Sequence, residues 1–374
     1  MHSGTVWAGE EIPNRLREGM ARQAEAFSEV SGQPTLWAAP RGTEWGGSRS
    51  TEELMDSYRA FAEPLGYRVV NVWENVEYLS QALPAEKRNP QMLMDMWSWD
   101  MRNGGQISVK DSVSYCVLGV EGGVLLDGNA SPAPGTKYTG AEEAFQRDVT
   151  IPMIDSDASI YYTPVDHVTY GDGGMNDDND AVAPQIDIWA MAARPGSEGQ
   201  EIMRGAAESM FDRYVKMAQA SVAEGDVVML HGPEEGRFVP GEFRTNSSVL
   251  GKKANVDDPE WAFIPGELAV HSLYDGIAKV DNRHGGSAMG VPDEAWPLRT
   301  SPTGPLVDRQ RTLPALNLTK TYEGSWKQGR EQSNPLAYYA SMSAFDPNRT
   351  STSPAAPAQV SRSSSSSQGS RRSR

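Results

Sequence analysis

The longest helical pattern in the chain is EIMRGAAESMFDRYVKMAQASV, residues 201–222. Its apolar side chains recur every three or four residues, which is the spacing of one helix face. That face comprises Ile202, Ala206, Met210, Tyr214, Met217 and Val222. The segment DVVML, residues 226–230, follows soon after and has the continuous apolar character of a buried strand. A long helix beside a buried strand predicts a fold that combines helices with a sheet.

Helices outnumber strands when the same patterns are followed outward from this segment. Ser50 and Glu53 form a capping-box signature at the start of one of these helices. Helices are predicted over residues 13–30, 51–65, 76–83, 90–102, 141–147, 186–193, 268–280 and 335–342. Strands are predicted over residues 67–73, 107–109, 114–120, 123–126, 149–154 and 160–162. Residues 32–47 are predicted to form a loop that exposes Trp37 and Trp45.

Strands and helices do not alternate regularly in this prediction. We therefore expect an α+β fold, predominantly α-helical with short strands and long irregular loops, and not a doubly wound α/β sheet. Three parts are expected: a mainly helical part over 1–105, an α+β body over 106–342 with an acidic loop at 163–182, and a disordered Ser/Arg-rich tail over 343–374. The tail lacks the apolar side chains needed to offset the entropy of ordering.

The charge distribution limits the classes of partner. The formal net charge of the 374-residue chain is −16, so most of its surface should repel phosphate chains. This charge disfavours proteins that bind duplex nucleic acid by reading a groove. Residues 351–374 of the tail carry Arg362, Arg371, Arg372 and Arg374 without an acid, and they are the candidate for a weak RNA contact.

Cysteine usage and hydropathy exclude other classes. A single cysteine, Cys116, excludes an intrachain disulfide framework and a cysteine-based zinc site. No run of 18 apolar residues occurs, so no transmembrane helix and no membrane partner are expected. The first twenty residues lack a secretory signal pattern. A reducing compartment is the expected environment.

No common catalytic motif matches the sequence. Ser287 in the stretch 284–290 has its glycines in the wrong register for a nucleophile elbow. Residues 245–254 lack the first glycine and the Ser/Thr of a phosphate-binding loop. His231 follows a predicted strand, where α/β enzymes place polar groups, but no partner for it is identified. We therefore assign no catalytic residue and expect no cofactor.

An acidic stretch offers weak candidates for metal ligands. Its carboxylates resemble the donors that calcium prefers, but their spacing does not fit an EF-hand loop. A solvated acidic loop is the favoured interpretation, and no metal is assigned. The weak candidates are Asp172, Asp177, Asp178 and Asp180.

A run of methionine and tryptophan marks residues 92–101. These side chains cannot all face one side of a helix, which indicates either burial all round or a second interface. Met and Trp are frequent at adaptable contact surfaces. The candidates for a subunit interface are Trp37, Trp45, Met92, Met96, Trp97 and Trp99.

The size, the helix-rich α+β pattern and the low-complexity end together resemble a viral shell protein. More narrowly, the chain is similar to capsid proteins of small segmented double-stranded RNA viruses of fungi, the partitivirus- and curvulavirus-like group. The resemblance implies dimers that self-assemble into an icosahedral shell enclosing the genome, without enzymatic activity, located in the virion and assembled in the host cytoplasm. The alternative is a soluble hydrolase-type enzyme with an unrecognised active site.

Overall fold

The computed structural model describes residues 1–102, 106–152, 159–163, 167–170, 186–223, 229–230, 237–238, 265–281, 283 and 309–322. Within these ranges the helices are α1 Arg17–Ser31, α2 Thr51–Ala62, α3 Val76–Leu79, α4 Pro90–Arg102, α5 Gln106–Glu121, α6 Glu143–Gln146, α7 Glu198–Ala223 and α8 Pro265–Asp281. The strands are β1 Ser3–Gly9, β2 Thr35–Pro40, β3 Arg68–Asn71, β4 Gly123–Leu126, β5 Ala130–Pro132, β6 Val149–Pro152, β7 Ser159–Thr163, β8 His167–Tyr170, β9 Ala190–Ala193, β10 Met229–Leu230, β11 Arg237–Phe238, β12 Arg309–Leu313 and β13 Leu318–Tyr322. The predicted α+β class, with short strands and a mixed sheet, is confirmed.

An eight-stranded sheet organises the described part of the chain. Its strand order is β3-β2-β1-β4-β9-β6-β7-β8. The four strands β3, β2, β1 and β4 run parallel to one another, and the pairs from β4 through β9, β6 and β7 to β8 are antiparallel. A second sheet joins β12, β13 and β5. The main sheet is therefore half parallel and half antiparallel.

The parallel half does alternate strand with helix, which the sequence analysis did not predict. The chain passes through β1, α1, β2, α2 and β3 in regular order. The prediction of a loop over residues 32–47 is wrong for Thr35–Pro40, where every residue is buried. A strand covered on both faces has no alternating polar side to reveal it. Trp37, predicted to be exposed, is buried within this strand.

Helices cover both faces of the parallel half. Leu36 of β2 packs with α1 and α2, and its neighbour Trp37 packs on the opposite side with α4, α5, α7 and α8. Successive side chains of a strand point to opposite faces, so β2 separates two cores. Residues of β4, β9 and β13 form a third cluster with the end of α1.

Three further predicted elements are wrong. Residues 107–109 and 114–120, predicted as strands, belong to helix α5. This helix is buried on nearly all sides. Its apolar residues therefore do not recur at the three- or four-residue spacing that a helix with one exposed polar face shows. Residues 190–193, predicted as helix, form β9. Pairing of β9 with β4 and β6 overrides the helix preference of its Ala and Met residues.

Several local predictions are confirmed. Helix α1 covers most of the segment predicted at 13–30, and Gly32 follows its end. Ser50 and Glu53 make both hydrogen bonds of the capping box at the start of α2. Helix α7 spans the pattern at 201–222, and α8 covers 268–280.

The expected domain boundary at 105/106 lies between α4 and α5. Strands β1 and β4, on either side of it in sequence, pair directly from Ser3 to Val124. One sheet therefore contains strands of both the first and the second expected part. The predicted acidic loop at 163–182 is wrong for His167–Tyr170, which pair with β7 as strand β8. Residues 164–166 and 171–182 of that loop, the segment 335–342 and the tail lie outside the described residues.

Candidate functional site

The arrangement of the parallel strands creates a topological switch point between β1 and β4. From β1 the chain moves outward to β2 and β3, with α1 and α2 on one face. It then returns through α4 and α5 on the other face to reach β4, on the far side of β1. In open sheets of this type, ligands bind at the carboxyl ends of the strands next to such a point.

Asp127 directly follows the carboxyl end of β4 at this point. Its carboxylate forms ion pairs with two lysines that come from different secondary-structure elements. Lys320 of β13 lies with Nζ 2.5 Å from Asp127 Oδ2, and Lys110 of α5 contacts Asp127 Oδ1. The side chains of Lys110 and Asp127 keep 19% and 15% of their exposure, so the group remains reachable from solvent.

The backbone around Asp127 is held by α1. Gln23 donates from Nε2 to the carbonyl oxygens of Asp127, at 2.8 Å, and Ala130, at 2.7 Å. Tyr67 donates to Gln23 Oε1 at 3.0 Å. Because Gln23 and Tyr67 are buried, these bonds fix the turn that carries Asp127.

Asp111, one residue after Lys110 on α5, adds a second carboxyl group. Its Oδ1 lies 3.7 Å from Lys110 Nζ, and its side chain is 2% exposed. Among the described residues, neither Asp111 Oδ2 nor the hydroxyl of Ser108 has a hydrogen-bond partner. A buried polar atom without a partner costs about 1–3 kcal/mol. The site thus contains polar groups with unused bonding capacity.

The carboxyl groups of Asp111 and Asp127 have pKa values shifted in opposite directions. Burial raises the pKa of Asp111 to about 7, although Lys110 opposes this shift. Burial also acts to raise the pKa of Asp127, but Lys110 and Lys320 outweigh it and hold that pKa below its ordinary value. For Lys110, burial is outweighed by Asp127 and Asp111, which raise its pKa. Asp127 is therefore a fixed negative charge, whereas Asp111 gains and loses a proton near neutral pH.

This cluster is defined by Lys110, Asp111, Asp127 and Lys320, and we call it the switch-point cluster. When Asp111 is protonated, two ammonium groups face one carboxylate and the cluster carries one positive charge. When Asp111 ionises, the charges balance. A group that titrates near the working pH can both donate and accept a proton, so the arrangement suits acid–base chemistry on a polar ligand.

No protein-family model matches this chain, and no curated protein is significantly similar to it.

None of the interface candidates belongs to the switch-point cluster. Trp37, Met96 and Trp97 are buried in the core, and Trp97 Nε1 donates to Ser112 Oγ at 2.9 Å. Trp45 and Met92 are partly buried and pack against the same core. Trp99 lies within α4. A role between subunits for any of these six residues stays a prediction.

Other predicted site residues fall outside the described part of the chain. These are Asp172, Asp177, Asp178, Asp180, Arg362, Arg371, Arg372 and Arg374. His231 and Ser287, to which the sequence analysis assigned no role, also lie there. In the ranges that the structure does describe, no three His, Cys, Asp or Glu residues are placed to hold a metal ion. Nor does any helix there have the length and apolar composition of a bilayer span.

Sequence reasoning missed the whole switch-point cluster. One signal was present, because Asp127 follows the correctly predicted strand at 123–126, as His231 follows another. Asp111 lies between two segments, 107–109 and 114–120, that were predicted as strands, which hid its place on the buried helix α5. Lys320 is 193 residues from Asp127, and only the tertiary fold brings it there.

Proposed function

We propose that the chain is a soluble enzyme of the acid–base type that acts on a small polar molecule at the switch-point cluster. This develops the hydrolase alternative of the sequence analysis. The observation that carries the proposal is the buried carboxyl group of Asp111, whose Oδ2 has no hydrogen-bond partner among the described residues, beside Lys110 at the carboxyl end of β4.

Each residue of the cluster has a distinct role in this proposal. Asp111 is the general acid–base, taking a proton from water or giving one to a leaving group. Lys110 provides positive charge close to the reacting group. Asp127 and Lys320 fix Lys110 through their ion pairs. Groups held in this way contribute most when their geometry is set before the substrate arrives.

Turnover assays test this proposal directly. The full-length protein is incubated with a panel of carboxylic and phosphoric esters between pH 5 and 9. We expect turnover of at least one class, with a rate that changes around pH 7. Asp111→Asn should lower kcat by about 10²–10⁴-fold, the usual contribution of a general acid–base. Asp56→Asn, at an exposed aspartate on α2, is the matched control and should leave kcat unchanged.

Two outcomes would contradict the proposal. One is the absence of turnover across the panel by a folded wild-type protein. The other is an Asp111→Asn variant with wild-type kcat and an unaltered pH profile. A variant that binds substrate but does not turn it over would support the assigned role.

The shell-protein hypothesis is the competing proposal, and it rests on the sequence resemblance. Size-exclusion chromatography and negative-stain microscopy separate the two. Uniform particles of tens of subunits would favour the capsid, and a monomer or dimer with esterase or phosphatase turnover would favour the enzyme. Deleting residues 351–374 should reduce nucleic-acid retention only if the capsid proposal is right.

A further inference from the structure

A cleft of about 370 Å³ lies apart from the switch-point cluster, between the turn that follows α3, the first half of α7 and the end of α8. The charged residues that line it are Arg88, Glu201, Arg204, Glu208, Lys279 and Arg283. Its volume falls in the range of sites for small molecules. None of the switch-point residues contributes to its lining.

The cleft concentrates positive charge in an acidic protein. Four cationic side chains and two carboxylates line it, whereas the whole chain carries a net charge of −16. Glu201 is paired with Arg283, at 2.6 Å. Glu208 is paired with Lys279 and also with Lys87 outside the lining. The two lining carboxylates are therefore already neutralised.

Arg88 and Arg204 remain as the excess charge. Neither makes an ion pair with any residue that the structure describes. Arg204 donates from Nε to the carbonyl oxygen of Gly119 at 2.6 Å, and Arg88 donates from Nη2 to that of Leu83 at 3.3 Å. A guanidinium group has five N–H donors, so most of those on each arginine are unused by these bonds.

The contact with Gly119 also fixes the direction of Arg204. A side chain at Gly119 would place its Cβ 3.1 Å from Arg204 Cγ, so the glycine lets the arginine stem lie against α5. The bond to the carbonyl uses Nε and does not use the two terminal nitrogens of Arg204. Two such nitrogens match the spacing of two oxygens on a phosphate or carboxylate.

We propose that this cleft binds a phosphate-bearing small molecule, with Arg88 and Arg204 as its oxyanion ligands. Phosphate is favoured over a single carboxylate because two guanidinium groups line one cleft, and a phosphate offers oxygens to both. Lys279 and Arg283 line the same cleft as ion pairs with Glu208 and Glu201, so they leave the excess charge on Arg88 and Arg204. This site is independent of the proposed acid–base centre.

Isothermal titration calorimetry with inorganic pyrophosphate at fixed ionic strength tests the site. We expect saturable binding by the full-length protein, weakened at least tenfold by Arg204→Gln and by Arg88→Gln. Arg204→Lys should also weaken binding, since it keeps the charge but loses the planar fork. Arg59→Gln is the matched control, because Arg59 is exposed on α2 and far from the cleft in sequence. Circular dichroism checks that each variant is folded.

The same titration with a decauridylate RNA distinguishes a small ligand from a nucleic-acid strand. Pyrophosphate binding that depends on Arg88 and Arg204 supports the proposal. Binding of the RNA alone, no binding of either probe, or equal binding by wild type and both glutamine variants overturns it. Loss of this binding leaves the esterase assay of the switch-point cluster unaffected, so the two proposals fail separately.

Discussion

Replacing Asp111 by asparagine should change how the stability of the protein depends on pH. Burial keeps the Asp111 carboxyl protonated up to a pKa of about 7, against an ordinary value of 3.8. The charged groups that face it are Lys110, Asp127 and Lys320. Between these two pH values the folded state binds more protons than the unfolded chain, so the free energy of unfolding falls as the pH rises.

The magnitude follows from the distance between the two pKa values. About three pH units at 1.36 kcal/mol each give a destabilisation of about 4 kcal/mol once Asp111 is fully ionised. Roughly 1.5 kcal/mol of this is already present at pH 5, because an unfolded aspartate ionises below that pH. An asparagine never ionises. The difference in unfolding free energy between Asp111→Asn and wild type should therefore grow in favour of the variant by ~2–3 kcal/mol from pH 5 to pH 8.

Urea unfolding followed by tryptophan fluorescence measures this difference at several pH values. Any constant effect of the amide, such as its contact with Lys110, cancels because only the change with pH is compared. Asp56→Asn at the exposed surface serves as the control and should show no change between pH 5 and 8. A difference between Asp111→Asn and wild type that stays constant over this range would refute the assignment of Asp111 as a buried, neutral carboxyl group.

Three further predictions concern the packing of the fold. Ser50→Ala removes the capping box of α2 and should lower the free energy of unfolding by about 1 kcal/mol in urea titrations, an effect that an unchanged midpoint would disprove. Trp97→Ala should cost ~3–5 kcal/mol, because the side chain is buried in the main core; a loss below 1 kcal/mol would place Trp97 at a surface. Burial raises the pKa of the Cys116 thiol to about 12, so a thiol reagent at pH 8 should label Cys116 only after urea unfolding, and rapid labelling of the native protein would contradict this burial.

The sequence predicted those elements whose signals are local. Helix α2 is an example, since Ser50, Glu53 and an apolar face all lie within one short segment. Helix α5 and strand β2 were mispredicted because both are buried on nearly every side, and burial removes the polar face that reveals a period. The long helix α7 has strong enough spacing over its first half to be recognised in spite of its burial.

The candidate site depends even more on tertiary structure. Asp127 alone followed a correctly predicted strand, and that position is a recognised signal for polar function in parallel sheets. The parallel order itself was not predicted, because β1 and β2 were missed. A shared site can be inferred for Lys110, Asp111 and Lys320 only once the fold places α5 and β13 next to Asp127. The shift in the pKa of Asp111 arises from burial, which no spacing of residues predicts.

The central position of β1 has a consequence for synthesis of the chain on the ribosome. One edge of β1 can pair with β2 once about the first 40 residues are synthesised. The other edge can pair only after β4 is synthesised, because Ser3 pairs with Val124. At roughly 5–20 residues per second, about 120 residues take ~6–24 s to emerge. During that interval a row of backbone donors and acceptors on β1 is open to other strands, as at any sheet edge. Nascent chains should therefore be most prone to aggregation, and most dependent on chaperones, before β4 has left the ribosomal tunnel.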